Sequence, residues 1–394
     1  MEPIIKSLLD NDLYKFTMQQ GVLSLFPSAK VSYKFKNRGS QRFTSAFLSA
    51  LEEQIHHMKS LKLSNDEYSW LNKEIPFFKP QYLEYLYNYT FNPEEIQVFL
   101  DKNSDLVLNI KGPWHSTILW EVPLMAIISE LYFSIIDTDW DHNNMDLVRI
   151  KAHQKGMLLE AKNCVYADFG TRRRRSFEVH DSVVRVMKKF DTFVGTSNVY
   201  LAMKYGLKPI GTMAHEFFMG ISVLEGLRNA NYYALTNWKR IYTGSLGIAL
   251  TDTYGTEAFF NNFTLELAKL YDGVRHDSGD PFLFADKVIA HYKKLGIDPM
   301  TKVIVFSDGL NTDLATDINK YCQGKIKCSF GIGTHFTNDF EGSKALNMVI
   351  KLWSVWHNDI EVNVVKLSDD KGKNMGETNA LKVAKWTFFG EKIS

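Results

Sequence analysis

Between residues 160 and 335 the chain repeats one pattern: a short run of β-branched and aromatic residues, then a cluster of Gly, Ser, Thr, Asp, His or Arg. Val165-Tyr-Ala167 leads into Asp168-Phe-Gly-Thr-Arg-Arg-Arg-Arg175, and Thr192-Phe-Val194 into Gly195-Thr-Ser-Asn198. Leu207-Lys-Pro-Ile210 precedes Gly211-Thr-Met-Ala-His-Glu216, and residues 246–250 precede Thr251-Asp-Thr-Tyr-Gly255. Runs at 302–306 and 325–330 precede Ser307-Asp-Gly309 and Gly331-Ile-Gly-Thr-His335. Between them apolar residues fall at helical spacing, as in Phe177, Val183, Val184, Met187 and Phe190. Another such set runs from Phe282 to Tyr292; it opens at Asp280-Pro281 and stops before Gly296, a capped start and a glycine stop.

Alternation of this kind leaves few topologies. Strands joined by helices lie parallel with right-handed crossovers, and the polar clusters gather at their carboxyl ends. That edge carries the active site in barrels and the ligand crevice in open sheets. The number of chemically rich clusters favours a (β/α) barrel over residues 113–345. Residues 1–112 read differently, as aromatic helical material such as Tyr82-Leu-Glu-Tyr-Leu-Tyr87 flanked by strand-like runs at 31–35 and 105–110. Residues 346–394 contribute strand-like runs at 346–353 and 362–367 and a turn at 369–376. The expectation is α/β throughout: a barrel inserted into a second, smaller α/β domain formed from both chain ends.

Charge narrows the partners. Lys and Arg number 46 against 45 Asp and Glu, so no global field recruits nucleic acid or a membrane surface. Cys164, Cys322 and Cys328 form no CxxC pattern, which fits a reducing compartment. The first residues lack the apolar run of a signal peptide, and no uninterrupted apolar run approaches the ~18 residues of a membrane span. A cytoplasmic location is expected.

His215 is the sharpest single candidate. A histidine where a strand ends is often only a structural hydrogen-bonding residue, but its titration range suits proton transfer and its ring nitrogen can carry a phosphoryl group. Its company decides the reading. Arg172–Arg175 could be a solvated turn or a nucleic-acid patch; guanidinium also pairs bidentately with carboxylates and phosphates, and at most one or two of the four can enter a pocket while the others pair at the surface. Arg275, His276, Asp277 and Asp280 crowd one glycine-containing loop, 271–281. Asp252 can hold a sugar hydroxyl or the water of a Mg²⁺ ion. The glycine loops at Gly309 and Gly331–His335 allow close backbone approach to phosphate, although such sequences are also ordinary turns. Zinc spacing and a Walker A sequence are both absent. Together these parts suit a phosphorylated sugar and an acidic second ligand.

The same residues carry a resemblance. Asp12-Leu-Tyr-Lys-Phe-Thr-Met18, Phe77-Phe-x-x-x-Tyr82-Leu, Phe169-Gly-Thr-Arg-Arg173 and Gly195-Thr-Ser197 resemble motifs of the nicotinate phosphoribosyltransferases, of the type II phosphoribosyltransferase family. So do Gly211–Glu216, Thr251-Asp-Thr-Tyr254, Arg275-His-Asp-Ser-Gly-Asp-Pro281 and Gly331–His335, all in order along the chain. The resemblance implies transfer of phosphoribose from phosphoribosyl pyrophosphate (PRPP) to nicotinate, with Mg²⁺ and ATP, in NAD biosynthesis. It also implies that the (β/α) barrel is an irregular one, a homodimer whose site borrows Tyr14 from the partner, and phosphorylation of His215 by ATP. By the same resemblance Phe169 and Tyr14 sandwich the pyridine ring, Arg172 and Ser197 address its carboxylate, and Arg275 lies near substrate and pyrophosphate. Asp252 and Asp277 hold the ribose or its metal, with no direct metal ligation by the protein, and Gly309, Gly333, Thr334 and His335 cradle the 5′-phosphate. A hydroxyl rather than a carboxylate at Ser197 favours nicotinate over the alternative substrate nicotinamide. Rival classes are a sugar-phosphate aldolase or isomerase, which needs a strand-end lysine or glutamate, and a non-catalytic RNA-binding protein using the arginine run.

Overall fold

The computed structural model describes residues 1–140 and 144–390. By contacts the chain divides into one unit of residues 1–28, 32–211 and 332–351, and a second of 29–31, 212–331 and 352–394. This division and the boundaries expected at 112/113 and 345/346 cut the chain differently. Residues 113–211 group with the N-terminal material, and residues 352–394 join the second unit.

In the second unit the strands Ile248–Leu250, Gly273–His276, Val303–Phe306 and Lys327–Ile332 pair side by side, all parallel. Helices such as Pro281–Lys294 and Thr312–Cys322 connect them, as the alternation requires. Gly273–His276 is a strand inside the stretch read from sequence as a loop, so Arg275 stands on the sheet and Asp277 just beyond its end. Its few apolar residues, Val274 apart, hid it. Pro281–Lys294 begins where expected: the Asp280 side chain accepts from the Phe282 and Leu283 amides, and Phe284, Val288, Ile289 and Tyr292 face inward. A hairpin of Met348–His357 with Ile360–Asn363 turns at Asn358 and Asp359, both with positive φ (50° and 63°), the conformation of a tight two-residue turn. The strand expected at 362–367 stops at Asn363; beyond it Lys366 bridges Met375, and the Leu367 amide donates to the Thr253 carbonyl at 2.8 Å.

In the first unit Tyr166–Asp168 and Phe193–Thr196 form a parallel pair, with Asp168 opposite Thr196. Gly195 has φ +145°, and a Cβ there would lie 2.1 Å from the Lys208 carbonyl oxygen, so no other residue fits without moving that backbone. The expected strand at 207–210 is reduced to one bridge, Pro209 to Thr196. Ile96–Leu100 and Leu106–Pro113 form an antiparallel hairpin. The segment Trp114–Ile135 is long and apolar enough to cross a membrane by length and composition (mean hydropathy 1.5). It is apolar on every side because it is a core element: residues such as Val122, Leu124, Ile127 and Ile128 are fully buried. Within each unit the described strands form parallel or antiparallel ladders, in the expected α/β arrangement of parallel sheet and helices.

Asp280→Ala removes the cap of Pro281–Lys294 and is expected to lower unfolding stability by about 1 kcal/mol, read by chemical denaturation.

Candidate active site

Each unit holds one set of the residues singled out from sequence. In the second unit, Asp252 and Asp277 each lie two residues beyond paired strand positions, Leu250 opposite Arg275, so their carboxylates emerge at one sheet edge. His215 is the first residue of the helix His215–Leu224, where the positive end of the helix dipole opposes protonation. Its Nε2 lies 2.7 Å from Asp252 Oδ1 and 3.6 Å from Asp277 Oδ2. Asp252 Oδ2 accepts from Ser278 Oγ at 2.6 Å and from Lys366 Nζ at 3.1 Å. Asp277 Oδ1 accepts from Arg275 Nη2 and Ser307 Oγ, each at 2.9 Å, and Arg275 Nε donates to Ser307 Oγ at 2.8 Å.

The charges follow from burial and neighbours. Burial pushes the His215 imidazole down from its ordinary value, and the Lys366 ammonium adds to this against the pull of Asp252. Burial acts to raise Asp252, yet His215 and Lys366 outweigh it and hold that carboxyl well below the usual range. Burial likewise opposes ionisation of Asp277, but Arg275 and His215 prevail and bring it to about 2. The result is a neutral imidazole against an ionised carboxylate. Donation to Asp252 requires the proton on Nε2, which leaves the lone pair on Nδ1; among the described residues no group bonds Nδ1.

The same three side chains bring one potential ligand atom each within 4.8 Å of one another. They do not fit a directly held metal ion. Both Asp252 oxygens already accept hydrogen bonds, and the Lys366 ammonium stands where a cation would approach. Asp277 Oδ2, with its side chain one-fifth exposed, can accept from a water on a metal that arrives with a phosphate ligand. Gly309, with φ +58°, closes the turn after Val303–Phe306, where Asp308 pairs with Lys373 at 2.6 Å.

The set in the first unit is built on the pair Tyr166–Asp168 and Phe193–Thr196. Phe169 follows the first of these strands, Arg172 lies in the turn Thr171–Arg173, and Ser197 follows the second. Tyr14 lies in the first turn of Leu13–Leu25, and the Leu13 amide donates to the Ser197 carbonyl at 2.8 Å. Burial and nearby Glu121 push the Tyr14 hydroxyl well up. Arg172 Nη1 is 3.6 Å from Glu121 Oε1; that carboxylate also binds the fully buried Lys15 at 2.6 Å. Burial acts to raise Glu121, but Lys15, Lys351 and Arg172 bring it to about 2. Gly333 packs its α-carbon against the Phe169 carbonyl, and Thr334 and His335 open the short helix Thr334–Thr337.

Comparison of the whole chain with known proteins identifies its family. The model of the nicotinate phosphoribosyltransferase (NAPRTase) N-terminal domain matches residues 9–129, and that of the NAPRTase family matches residues 164–392. The chain belongs to the nicotinate phosphoribosyltransferase family. The nicotinate phosphoribosyltransferase of Methanosarcina mazei is 54% identical, over 97% of this chain and 98% of the relative. That of Methanococcoides burtonii is 52% identical, over 98% of each. The crystal structure of nicotinate phosphoribosyltransferase from Porphyromonas gingivalis superposes with a TM-score of 0.95 at 40% identity, covering 98% of this chain and 100% of the other.

Against the family motifs, the structure corrects the reading of the arginine run. Arg174 and Arg175 are fully buried rather than paired at the surface. Arg174 forms a bidentate pair with Asp10 at 2.7 and 2.8 Å. Arg175 donates to Asn338 and Ser343 and stacks 3.6 Å from the Phe133 ring centroid. Arg173 donates to the Met348 carbonyl at 2.8 and 3.1 Å. Arg172, a third of its side chain exposed, and Arg173 are the two partly exposed members, so the run offers no continuous basic surface for nucleic acid.

Sequence reasoning missed several neighbours of these sites. Lys366 lies in a carboxyl-terminal stretch with no motif of its own, over a hundred positions from Asp252. Asp12 was read only as part of a motif, yet its carboxylate accepts the Ser197 hydroxyl at 2.7 Å. Burial pushes Asp12 up while Arg172 opposes it. A carboxylate thus already stands behind Ser197, and the serine hydroxyl proton is committed to it.

Asp10→Ala leaves the Arg174 guanidinium buried without its partner; an unfolding free energy lower by about 3–5 kcal/mol is expected in denaturant titration.

Proposed function

We propose that the chain transfers phosphoribose from PRPP to nicotinate, giving nicotinate mononucleotide and pyrophosphate, and couples this to ATP hydrolysis through a phosphohistidine at His215. The observation that carries the coupling is the His215–Asp252 pair: Asp252 accepts a hydrogen bond from Nε2–H, leaving Nδ1 as nucleophile toward the γ-phosphorus of ATP. ADP departs with the electrons of the broken P–O bond, and water later hydrolyses the phosphohistidine to inorganic phosphate.

In the transfer step the nicotinate ring nitrogen forms a bond to the anomeric carbon while the bond to pyrophosphate breaks and its electrons leave with that group. The sugar passes through a cationic state, which a nearby ionised carboxylate stabilises. Asp277, with its outward oxygen, fits that part; Asp252 is fully occupied in orienting His215. Arg275, fixed by Asp277 and Ser307, suits pyrophosphate, and Mg²⁺ delivered with PRPP and ATP neutralises phosphate charge. Phe169 and Tyr14 offer faces for the pyridine ring, the latter from the partner subunit of a homodimer, so that binding is mainly positioning. The family resemblance assigns Gly309, Gly333, Thr334 and His335 to the 5′-phosphate. Arg172 attracts the nicotinate carboxylate, and the hydroxyl of Ser197 shields the Asp12 charge behind it.

Protein mixed with nicotinate, PRPP and Mg²⁺ is expected to form the mononucleotide, faster with ATP; no product under any condition would sink the assignment. ATP is expected to label the protein with acid-labile, base-stable phosphate, and His215→Ala to abolish the label. Labelling needs neutral imidazole, and the lowered pKa keeps His215 neutral below its ordinary ~6.5, so the labelling rate stays flat as pH falls through that value and drops only below it. Lys366→Ala removes one of the groups that depress His215, so its acidic limb moves to higher pH. Ser197→Asp places a second carboxylate beside Asp12 and is expected to shift the kcat/KM ratio toward nicotinamide by at least tenfold (about 1.4 kcal/mol). Unchanged selectivity would refute the role given to that position.

A further inference from the structure

Beneath the first-unit set lies a buried polar group that the transfer reaction leaves unused. Asp168, His180 and Thr196 are all completely buried. Asp168 Oδ2 accepts from His180 Nε2 and from Thr196 Oγ1, each at 2.6 Å, and Oδ1 accepts from the Gly170 amide at 2.9 Å. The Asp168 carbonyl takes the Ser197 amide at 2.8 Å, and Thr196 Oγ1 in turn takes the Asn198 amide at 3.1 Å. His180 comes from the helix Phe177–Met187, whose start is fixed by the Ser176 cap on Val179. Its Nδ1 is buried with no partner, a cost that a purely space-filling residue would not carry.

One carboxylate therefore touches the base of both loops that reach the pyridine ligand. Through Gly170 it sets the turn carrying Phe169 and Arg172; through Thr196 and its own carbonyl it sets Ser197. The fit at Gly170 is close: a Cβ there would lie 2.3 Å from Thr337 Cγ2 and 2.9 Å from Asp168 Oδ1. The neighbouring amide of Phe169 is tied to the Ile332 carbonyl at 2.8 Å, so the loop is held on both sides. A carboxylate accepting three side-chain or amide protons has little freedom to rotate, and the two loops cannot shift independently.

We propose that Asp168 is a positioning residue for nicotinate, holding the Phe169–Arg172 turn and Ser197 in mutual register, and that His180 locks Asp168 in that orientation. His180 touches no ligand and acts only through Asp168. The proposal rests on the assignment of Phe169, Arg172 and Ser197 to nicotinate. Its signature is a bias: loosening the register weakens nicotinate, whose ring and carboxylate are gripped by these loops, more than PRPP, whose assigned phosphate loop meets them only where Gly333 lies against the Phe169 carbonyl.

The test is steady-state kinetics of mononucleotide formation with His180→Phe, His180→Gln and Val184→Ala, the last a buried apolar truncation in the same helix. His180→Phe is expected to raise KM for nicotinate on the order of tenfold, with a much smaller rise in KM for PRPP. His180→Gln, whose amide can donate to Asp168, is expected to restore most of the loss. Val184→Ala is expected to lower the melting temperature without the selective rise. Parallel rises in both KM values, a nicotinate KM that His180→Phe leaves unchanged, or failure of His180→Gln to recover would overturn the proposal. Arg172→Ala separates the two readings. If it raises KM for nicotinate while His180→Phe does not, only the positioning role falls; if Arg172→Ala has no effect, the site assignment falls and the positioning role with it.

Discussion

The Asp252 carboxylate is almost wholly removed from solvent, and an isolated charge there would be prohibitively costly. It is tolerated because His215, Ser278 and Lys366 all donate to it, from three separate stretches of the chain. The arrangement of the second-unit site depends on that one group. It fixes which nitrogen of His215 bears the proton, it brings the carboxyl-terminal stretch onto the strand ends, and it leaves Asp277 as the carboxylate turned outward. Removing any donor would leave charge unbalanced in a low-dielectric place, where interactions are strong in both directions.

The first unit repeats the principle with different partners. Asp10 is matched by Arg174, Glu121 by Lys15, and Asp168 by His180, each pair at or within 2.8 Å and buried. Such pairs add little net stability over apolar packing, but each permits only one geometry. That trade suits loops proposed to hold a small planar acid in place. It also explains why a run of four arginines makes no basic patch: two of the four serve as internal struts and a third is tied to a backbone carbonyl.

How legible this was depended on distance along the chain. The helix Pro281–Lys294 announced itself through Asp280, Pro281 and Gly296, because capping is local chemistry. The strand Gly273–His276 did not, since its charged residues are those a loop would have and only its neighbours on the sheet make it a strand. His215 and Asp252 were legible as candidates because each follows a strand-like run, and Arg275 and Asp277 because charged residues crowd one glycine-containing loop, yet their hydrogen bonds to one another were not. Ser197 was read as a plain hydroxyl, because nothing in its own surroundings in sequence points to Asp12, 185 positions away.

The sequence by itself determined the alternation of strands and helices, the strand ends at which chemistry gathers, and, through ordered motifs, the enzyme family. These follow from periodicity and local residue choice, which act over a few positions. Only the tertiary structure decided which charges neutralise which: Lys366 on Asp252, Asp12 behind Ser197, Arg174 on Asp10, His180 beneath Asp168. Those choices depend on burial, and burial is a property of the folded chain as a whole. A side chain's charge can be read from its letter, but its cost and its partner are set by what folding places around it.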